Sequence, residues 1–214
     1  MAKNIIGLVG FKGSGKDTVG NMLHELGDYQ PMSFAQCLKD ALCVLCDWDP
    51  PMLSGISPQS REWRERPDPY WSDCLGTTVT PRSMMQQFGT EIVRKHLHDE
   101  FWIMRLRKQI MAYDGNVVVT DCRFVNEIEM IRQMGGTIIW VKRMPLPPHY
   151  AQARWYTQQN KLAQALSWWF VPEVRKTHRS EWEWLGSRTD YVLLNKGDLQ
   201  DLEQDVKKLL KNLH

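Results

Sequence analysis

The residues with the clearest capacity for chemistry lie near the start of the chain, in GFKGSGKDT, Gly10 to Thr18. They follow the spacing Gly-x-x-x-x-Gly-Lys. Between a buried strand and a helix, such a loop turns backbone N–H groups and a helix N-terminus toward one anion. Gly10, Gly13 and Gly15 supply positive φ and close backbone approach. Lys16 is expected on the β- and γ-phosphates of a nucleotide, with Gly13, Ser14, Gly15, Asp17 and Thr18 around it. The place after the lysine usually carries a hydroxyl that ligates Mg²⁺. Here it is Asp17, and Thr18 comes one residue late, at the α-phosphate place. A carboxylate beside a triphosphate is repulsive unless a cation lies between them. Asp17 is therefore read as a Mg²⁺ ligand, direct or through water, with Thr18 as the nearby hydroxyl. The other reading is that Asp17 only complements the helix dipole. Lys-Asp-Thr points away from GTPases and motor ATPases and toward a nucleotide or metabolite kinase.

Two further constellations carry charge in useful places. VVVTDCRFVNE puts Asp121 at the carboxyl end of a strand, the edge where open α/β sheets bind ligands. It suits Mg²⁺ or a substrate hydroxyl or base. Arg123 offers a planar fork to a phosphate, and Glu127 is either a substrate contact or a helix-start residue. In TPRSMMQQFGTEIVR, Thr80 is a candidate N-cap and Pro81 suits the first helical position. Arg82 can clamp an anion there. Gln86 lies one turn on and can read a base edge. Gly89 and Thr90 are expected to interrupt the helix and admit a ligand, with Arg94 a turn later.

Strand–helix alternation must position these groups. NIIGLV, NVVVTD, TIIWVKR and YVLLN read as strands. Helices are expected over 19–26, 35–46 (Leu38, Ala41, Leu42 and Leu45 on one face), 101–113, 126–134 and 199–213. The fold class is α/β, a mostly parallel sheet with helices on both faces. Length suits one domain, residues 1–214. Within it, 47–80 reads as an irregular insertion, rich in Pro and Trp with Arg61, Arg64 and Arg66. Residues 144–180 read as a lid, bounded by MPLPPHY and FVPEV.

The chain has 214 residues, 27 basic against 25 acidic, net +2. That balance argues against a general nucleic-acid binder. Apolar runs are too short to span a bilayer, and the start lacks the apolar segment of a signal peptide. Five scattered cysteines suit a reduced, cytoplasmic protein. Cys43 and Cys46 have metal-like spacing without a second pair.

Taken in order, GFKGSGKDT, SFAQCLKDAL, TPRSMMQQFGTEIVR with Phe101-Trp102, VVVTDCRFVNE and the late HRSEWE…DYVLLN resemble the bacteriophage deoxynucleoside monophosphate kinases, a branch of the P-loop nucleoside monophosphate kinase group. The resemblance implies a P-loop kinase fold with monophosphate-binding and lid segments. It implies ATP-dependent phosphorylation of deoxynucleoside monophosphates with Mg²⁺, in a homodimer. Ser14, Lys16, Asp17 and Thr18 would hold the ATP phosphates and metal. Arg82, Gln86, Gly89, Thr90 and Trp102 would shape the monophosphate site, with Lys39 a further member. Asp121, Arg123 and Glu127 would complete it. Lys16, Arg82 and Arg123 would be catalytic, and Arg143, Arg154, Arg175 or Arg179 would close from the lid. Other readings are a dephospho-coenzyme A or phosphomevalonate kinase, a P-loop ATPase or regulator, and a nucleic-acid-binding protein. The segments 47–80 and 144–176 match the family poorly.

Overall fold

The computed structural model describes residues 4–213. Its centre is a five-stranded sheet: β1 (Ile5–Val9), β2 (Tyr29–Met32), β3 (Asn116–Val119), β4 (Thr137–Arg143) and β5 (Tyr191–Asn195). The strand order is β2-β3-β1-β4-β5 and every pairing is parallel. β1 is buried along its whole length, as its unbroken apolar run requires. Ile6 and Leu8 point to one face. There they join Val118, Ile139, Val141 and Leu193 against Val19 and Leu23 of the helix Lys16–Gly27 and Leu202, Val206 and Leu209 of the helix Leu199–Leu213. Gly7 points to the other face. A Cβ there would lie 2.8 Å from Ile138 and 3.4 Å from Ile131 of the helix Val125–Gln133. Helices therefore cover both faces.

β2 has no counterpart among the sequence-predicted strands. Its four residues include Pro31, which lacks an N–H and confines the strand to an edge. Tertiary pairing with β3 overrides a weak local signal.

The chain separates into two compact units, residues 1–33 with 109–214, and residues 34–108. The first holds the sheet. The second is helical, and it corrects the expectation of an irregular 47–80. Three short helices occupy that span, Pro50–Ser54, Pro58–Trp63 and Pro69–Leu75, each opening on a proline. Ser57 and Asp68 cap the latter two by accepting from Ser60 and Trp71 backbone N–H groups. These prolines are first-turn residues, where a missing N–H costs nothing, and not loop markers. Trp48 is buried at their centre, and its Nε1 donates to Asp68 at 2.8 Å.

Thr80 and Ser83 form a reciprocal capping box over the helix Pro81–Gln86. Gly89 and Thr90 do not break the helical path beyond it. The chain continues as a π-helical stretch, Gln87–Leu97. On the helix Gln36–Cys46, Leu38 and Leu42 are buried but Leu45 is exposed, so the apolar face is narrower than its spacing predicts.

Segment 144–186 contains the helices Tyr150–Thr157, Lys161–Ser167 and Pro172–Arg175 and a small core of its own, Ala153, Val171, Val174 and Trp182.

Candidate phosphate site

The carboxyl ends of the parallel strands share one edge of the sheet. β1 sits where the strand order reverses, with β3 on one side and β4 on the other. The glycine loop leaves β1 there, at the position where this architecture opens a crevice. The loop is tightly held. Asn195, at the end of β5, donates its Nδ2 to the Ser14 carbonyl at 2.9 Å and accepts from Gly197 N–H at 3.0 Å. Gly15 has φ 96°, and a Cβ on it would meet Asn195 Nδ2 at 2.5 Å. Glycine is required there for both reasons. Asn195 carried no functional signal in the sequence beyond closing a strand.

Several features suit an anion. Gly13 has φ 78° and open space where a Cβ would stand. Ser14 is buried, and its Oγ has no hydrogen-bond partner in the structure. A buried hydroxyl left this way is costly unless a ligand completes it. The Lys16 ammonium is drawn back over the loop, donating to the carbonyls of Gly10 at 2.7 Å and Phe11 at 3.0 Å. Burial lowers its pKa to about 8, and the Arg123 charge adds to that. Glu181, Asp17 and Asp121 act in the opposite sense. Asp17 is exposed on the first turn of the helix and Thr18 is partly buried behind it.

Asp121 lies just beyond β3 and accepts from Ser33 Oγ at 2.7 Å. Arg123 donates from Nη1 to Glu181 at 2.7 Å. Burial alone would depress its pKa, but Glu181 and Asp121 outweigh this and raise it. Glu127 is buried and accepts from the backbone N–H groups of Arg123 at 2.7 Å and Phe124 at 3.1 Å. That is the geometry of the helix-start reading. Asp121 and Arg123 thus meet the loop lysine electrostatically, and Glu181 is a fourth member to which the sequence assigns no role.

A cleft of about 330 Å³ borders the loop, lined by Phe11, Gly13, Ser14, Arg143, His149 and Glu181 among others. Arg143, at the end of β4, donates to the Gly13 carbonyl at 3.5 Å. The other arginines considered for closure have local partners. Arg154 donates to Tyr150, Arg175 stacks over Trp169 at 4.5 Å, and Arg179 pairs with Glu183.

The remaining candidates lie in the unit 34–108. Arg82 donates from Nε to Glu65. Lys39 donates to the Ser54 carbonyl at 3.2 Å. Trp102 is buried and its Nε1 donates to the Gly89 carbonyl at 2.9 Å. A Cβ on Gly89 would lie 2.7 Å from Leu38. Gly89 and Trp102 therefore have packing reasons of their own. Gln86 and Thr90 are partly buried, and Arg94 is buried beside Asp99 at 3.8 Å. Cys43 and Cys46 share the helix Gln36–Cys46 as free, partly buried thiols.

A protein of Acanthamoeba polyphaga mimivirus whose name includes deoxynucleotide monophosphate kinase is 32% identical over 151 residues, 65% of this chain and 74% of that protein. The family model for deoxynucleotide monophosphate kinase matches residues 75–149. The chain belongs to the deoxynucleotide monophosphate kinase family. Membership makes it a kinase. The family-model match runs from before Arg82 to beyond Glu127, so it covers Gln86, Gly89, Thr90, Trp102, Asp121 and Arg123. Shorter similarities join it to the deoxynucleoside-5'-monophosphate kinase of Escherichia phage T5, 41% over 56 residues, 26% of this chain and 22% of that protein. The deoxynucleotide monophosphate kinase of Escherichia phage RB69 is 36% identical over 73 residues, 32% of this chain and 30% of that protein. Among solved structures, a shikimate kinase from Bacteroides thetaiotaomicron aligns over 99% of both chains at 15% identity and a TM-score of 0.46. Among the described residues no helix is long and apolar enough to cross a membrane.

Proposed function

We propose that this chain transfers the γ-phosphoryl group of ATP to the phosphate of a deoxynucleoside monophosphate, yielding the diphosphate and ADP. The observation that carries the donor side is the loop at the sheet's switch point, with its buried, unpartnered Ser14 hydroxyl and a Lys16 ammonium drawn over the Gly10 carbonyl. Family membership favours this reading over a coenzyme A-precursor or mevalonate-type kinase and over an ATPase without an acceptor. ATP with each deoxy- and ribonucleoside monophosphate, followed by ADP release, tests it directly. ADP release that no monophosphate stimulates would sink it.

The acceptor is a phosphate oxygen already ionised at neutral pH, so no general base is required. The difficulty is bringing two anions together. Lys16 leaves its resting carbonyls for the donor phosphates, and Ser14 and the loop N–H groups orient them. Arg82 and Arg123 hold the acceptor in line and offset the charge of the transferred group. Gln86, Thr90 and Lys39 complete the acceptor's surroundings, and Gly89 and Trp102 shape them.

Mg²⁺ suits the donor set. Among the described residues no group of three or more His, Cys, Asp or Glu could hold a metal. Mg²⁺ in phosphoryl-transfer sites asks for only one or two carboxylates, with water and phosphate oxygens completing the octahedron. Asp17 and Asp121 would hold it, with Thr18 beside them. Bound there, the ion would supply charge neutralisation for the phosphates. Asp17→Asn is expected to raise the Mg²⁺ concentration for half-maximal activity about tenfold while thermal stability barely moves, and Asp17→Ser to recover much of the rate. An unchanged Mg²⁺ titration with lower stability would make Asp17 a helix-start residue.

ATP binding should also depend on pH. Only charged Lys16 attracts phosphate, and its pKa in the free protein is about 8. Affinity is therefore full below pH 8 and declines above it, by up to about tenfold per pH unit. Calorimetric titration between pH 7 and 9.5 reads this. A flat profile would place the ammonium in a more solvated setting.

Closure falls to residues 144–180, which would exclude water as a competing acceptor. Amide exchange there is expected to slow when both substrates are bound. Protection gained only elsewhere would remove the lid from this segment. The assembly implied by the resemblance is a homodimer, and the cysteine usage suits a cytoplasmic setting, that of the host if the chain is phage-encoded.

A further inference from the structure

The segment HRSEWE, His178 to Glu183, contributes to the resemblance, yet the proposed chemistry gives its Glu181 no role. The structure brings Glu181 to the wall of the cleft beside the phosphate loop. A carboxylate there opposes a polyphosphate unless its charge is already engaged. Arg123 engages it: Nη1 lies 2.7 Å from Glu181 Oε1, and the two side chains are 36% and 18% exposed.

Both ends of this pair are fixed. The Arg123 backbone N–H donates to buried Glu127, which also caps Phe124. Glu181 sits on a tight turn in which its N–H donates to the His178 carbonyl at 3.0 Å. His178 Nδ1 lies 2.9 Å from Ser180 Oγ, and Ser180 is buried. The next residue, Trp182, is anchored in the small core with Ala153, Val171 and Val174, and its Nε1 donates to the Thr177 carbonyl at 3.1 Å. The carboxylate is thus held by its own turn and by the packed side chain of the residue after it.

We propose that Glu181 is a positioning residue that orients the Arg123 guanidinium toward the acceptor phosphate. This rests on the assignment of Arg123 to the acceptor. A guanidinium is a planar fork of five donors, so an anchor at Nη1 sets the plane and leaves other donors for a phosphate. A flexible arginine would have to be ordered by substrate, and an anchored one is ordered in advance. Glu181 also lets two cations, Lys16 and Arg123, stand in one site, because it attracts both.

A double-mutant cycle with Glu181→Ala, Arg123→Ala and both together tests this, with ATP and monophosphate kinetics and melting temperature read for each. Glu181→Ala should cut kcat/KM for the monophosphate by about 10- to 100-fold, with the KM for ATP within about twofold. The same change in the Arg123→Ala background should cost nothing further, because the two residues act as one unit. Glu181→Gln keeps an acceptor of the same length and should fall only about three- to tenfold short of wild type. That smaller loss, vanishing without Arg123, carries the comparison if Glu181→Ala does not fold. Losses that multiply, or a Glu181→Ala enzyme as fast as wild type or faster, would overturn the inference while leaving Arg123 on the acceptor. An Arg123→Ala enzyme with unchanged monophosphate kinetics would remove both.

Discussion

Lys16→Met should lower kcat by about 10³-fold with little change in folding. The ammonium donates into its own loop, 2.7 Å from the Gly10 carbonyl and 3.0 Å from that of Phe11. The proposed function has those two bonds exchanged for phosphate contacts. Methionine keeps the stem and removes the charge, so nothing ionised is left buried. Since burial already disfavours the ammonium, its loss should cost little stability. Single-turnover rates at saturating ATP, with circular dichroism as the control for folding, decide the matter. A loss below about tenfold would mean that another cation carries the donor phosphates.

Arg82→Ala should raise the monophosphate KM or cut kcat by about 10²-fold or more, with ATP binding nearly unchanged. In the structure Arg82 opens the helix Pro81–Gln86 and is paired with Glu65, which is 45% exposed. Removing the arginine breaks a partly exposed pair, whose loss costs little stability. Kinetics and stability should therefore part company. Initial rates against monophosphate at fixed ATP, and ATP titration of the free protein, separate the two. Equal loss of ATP affinity would place Arg82 away from the acceptor.

The sheet was legible where strands are buried on both sides. The apolar runs of β1, β3 and β4 have no competing interpretation once a glycine loop or a carboxylate closes them. β2 was not legible, because Pro31 and four residues give no pattern until β3 lies beside them. The 47–80 stretch misled for the opposite reason: its prolines were conspicuous, and their place at helix N-termini depends on Asp49, Ser57 and Asp68 preceding them. At the site, the loop could be read because its spacing is imposed by backbone geometry. Asn195 and Glu181 could not, because a buried asparagine behind a glycine and a glutamate across from an arginine are contacts 181 and 58 residues apart in the chain. Gly89 and Trp102 show the converse. Their spacing suggests a ligand, while the structure supplies a hydrogen bond between them.

Residues 34–108 form a compact unit that is also one uninterrupted stretch of chain. The stretch departs after β2 and the chain returns in β3, and these two strands are direct neighbours. A single pair of recombination crossovers can therefore exchange the whole unit. Such an exchange carries Lys39, Arg82, Gln86 and Thr90 together and leaves Lys16, Asp121, Arg123 and Glu181 in place. If the proposed function holds, the acceptor-side residues of that stretch would be inherited apart from the phosphate loop. One such event would leave the glycine loop of β1 untouched.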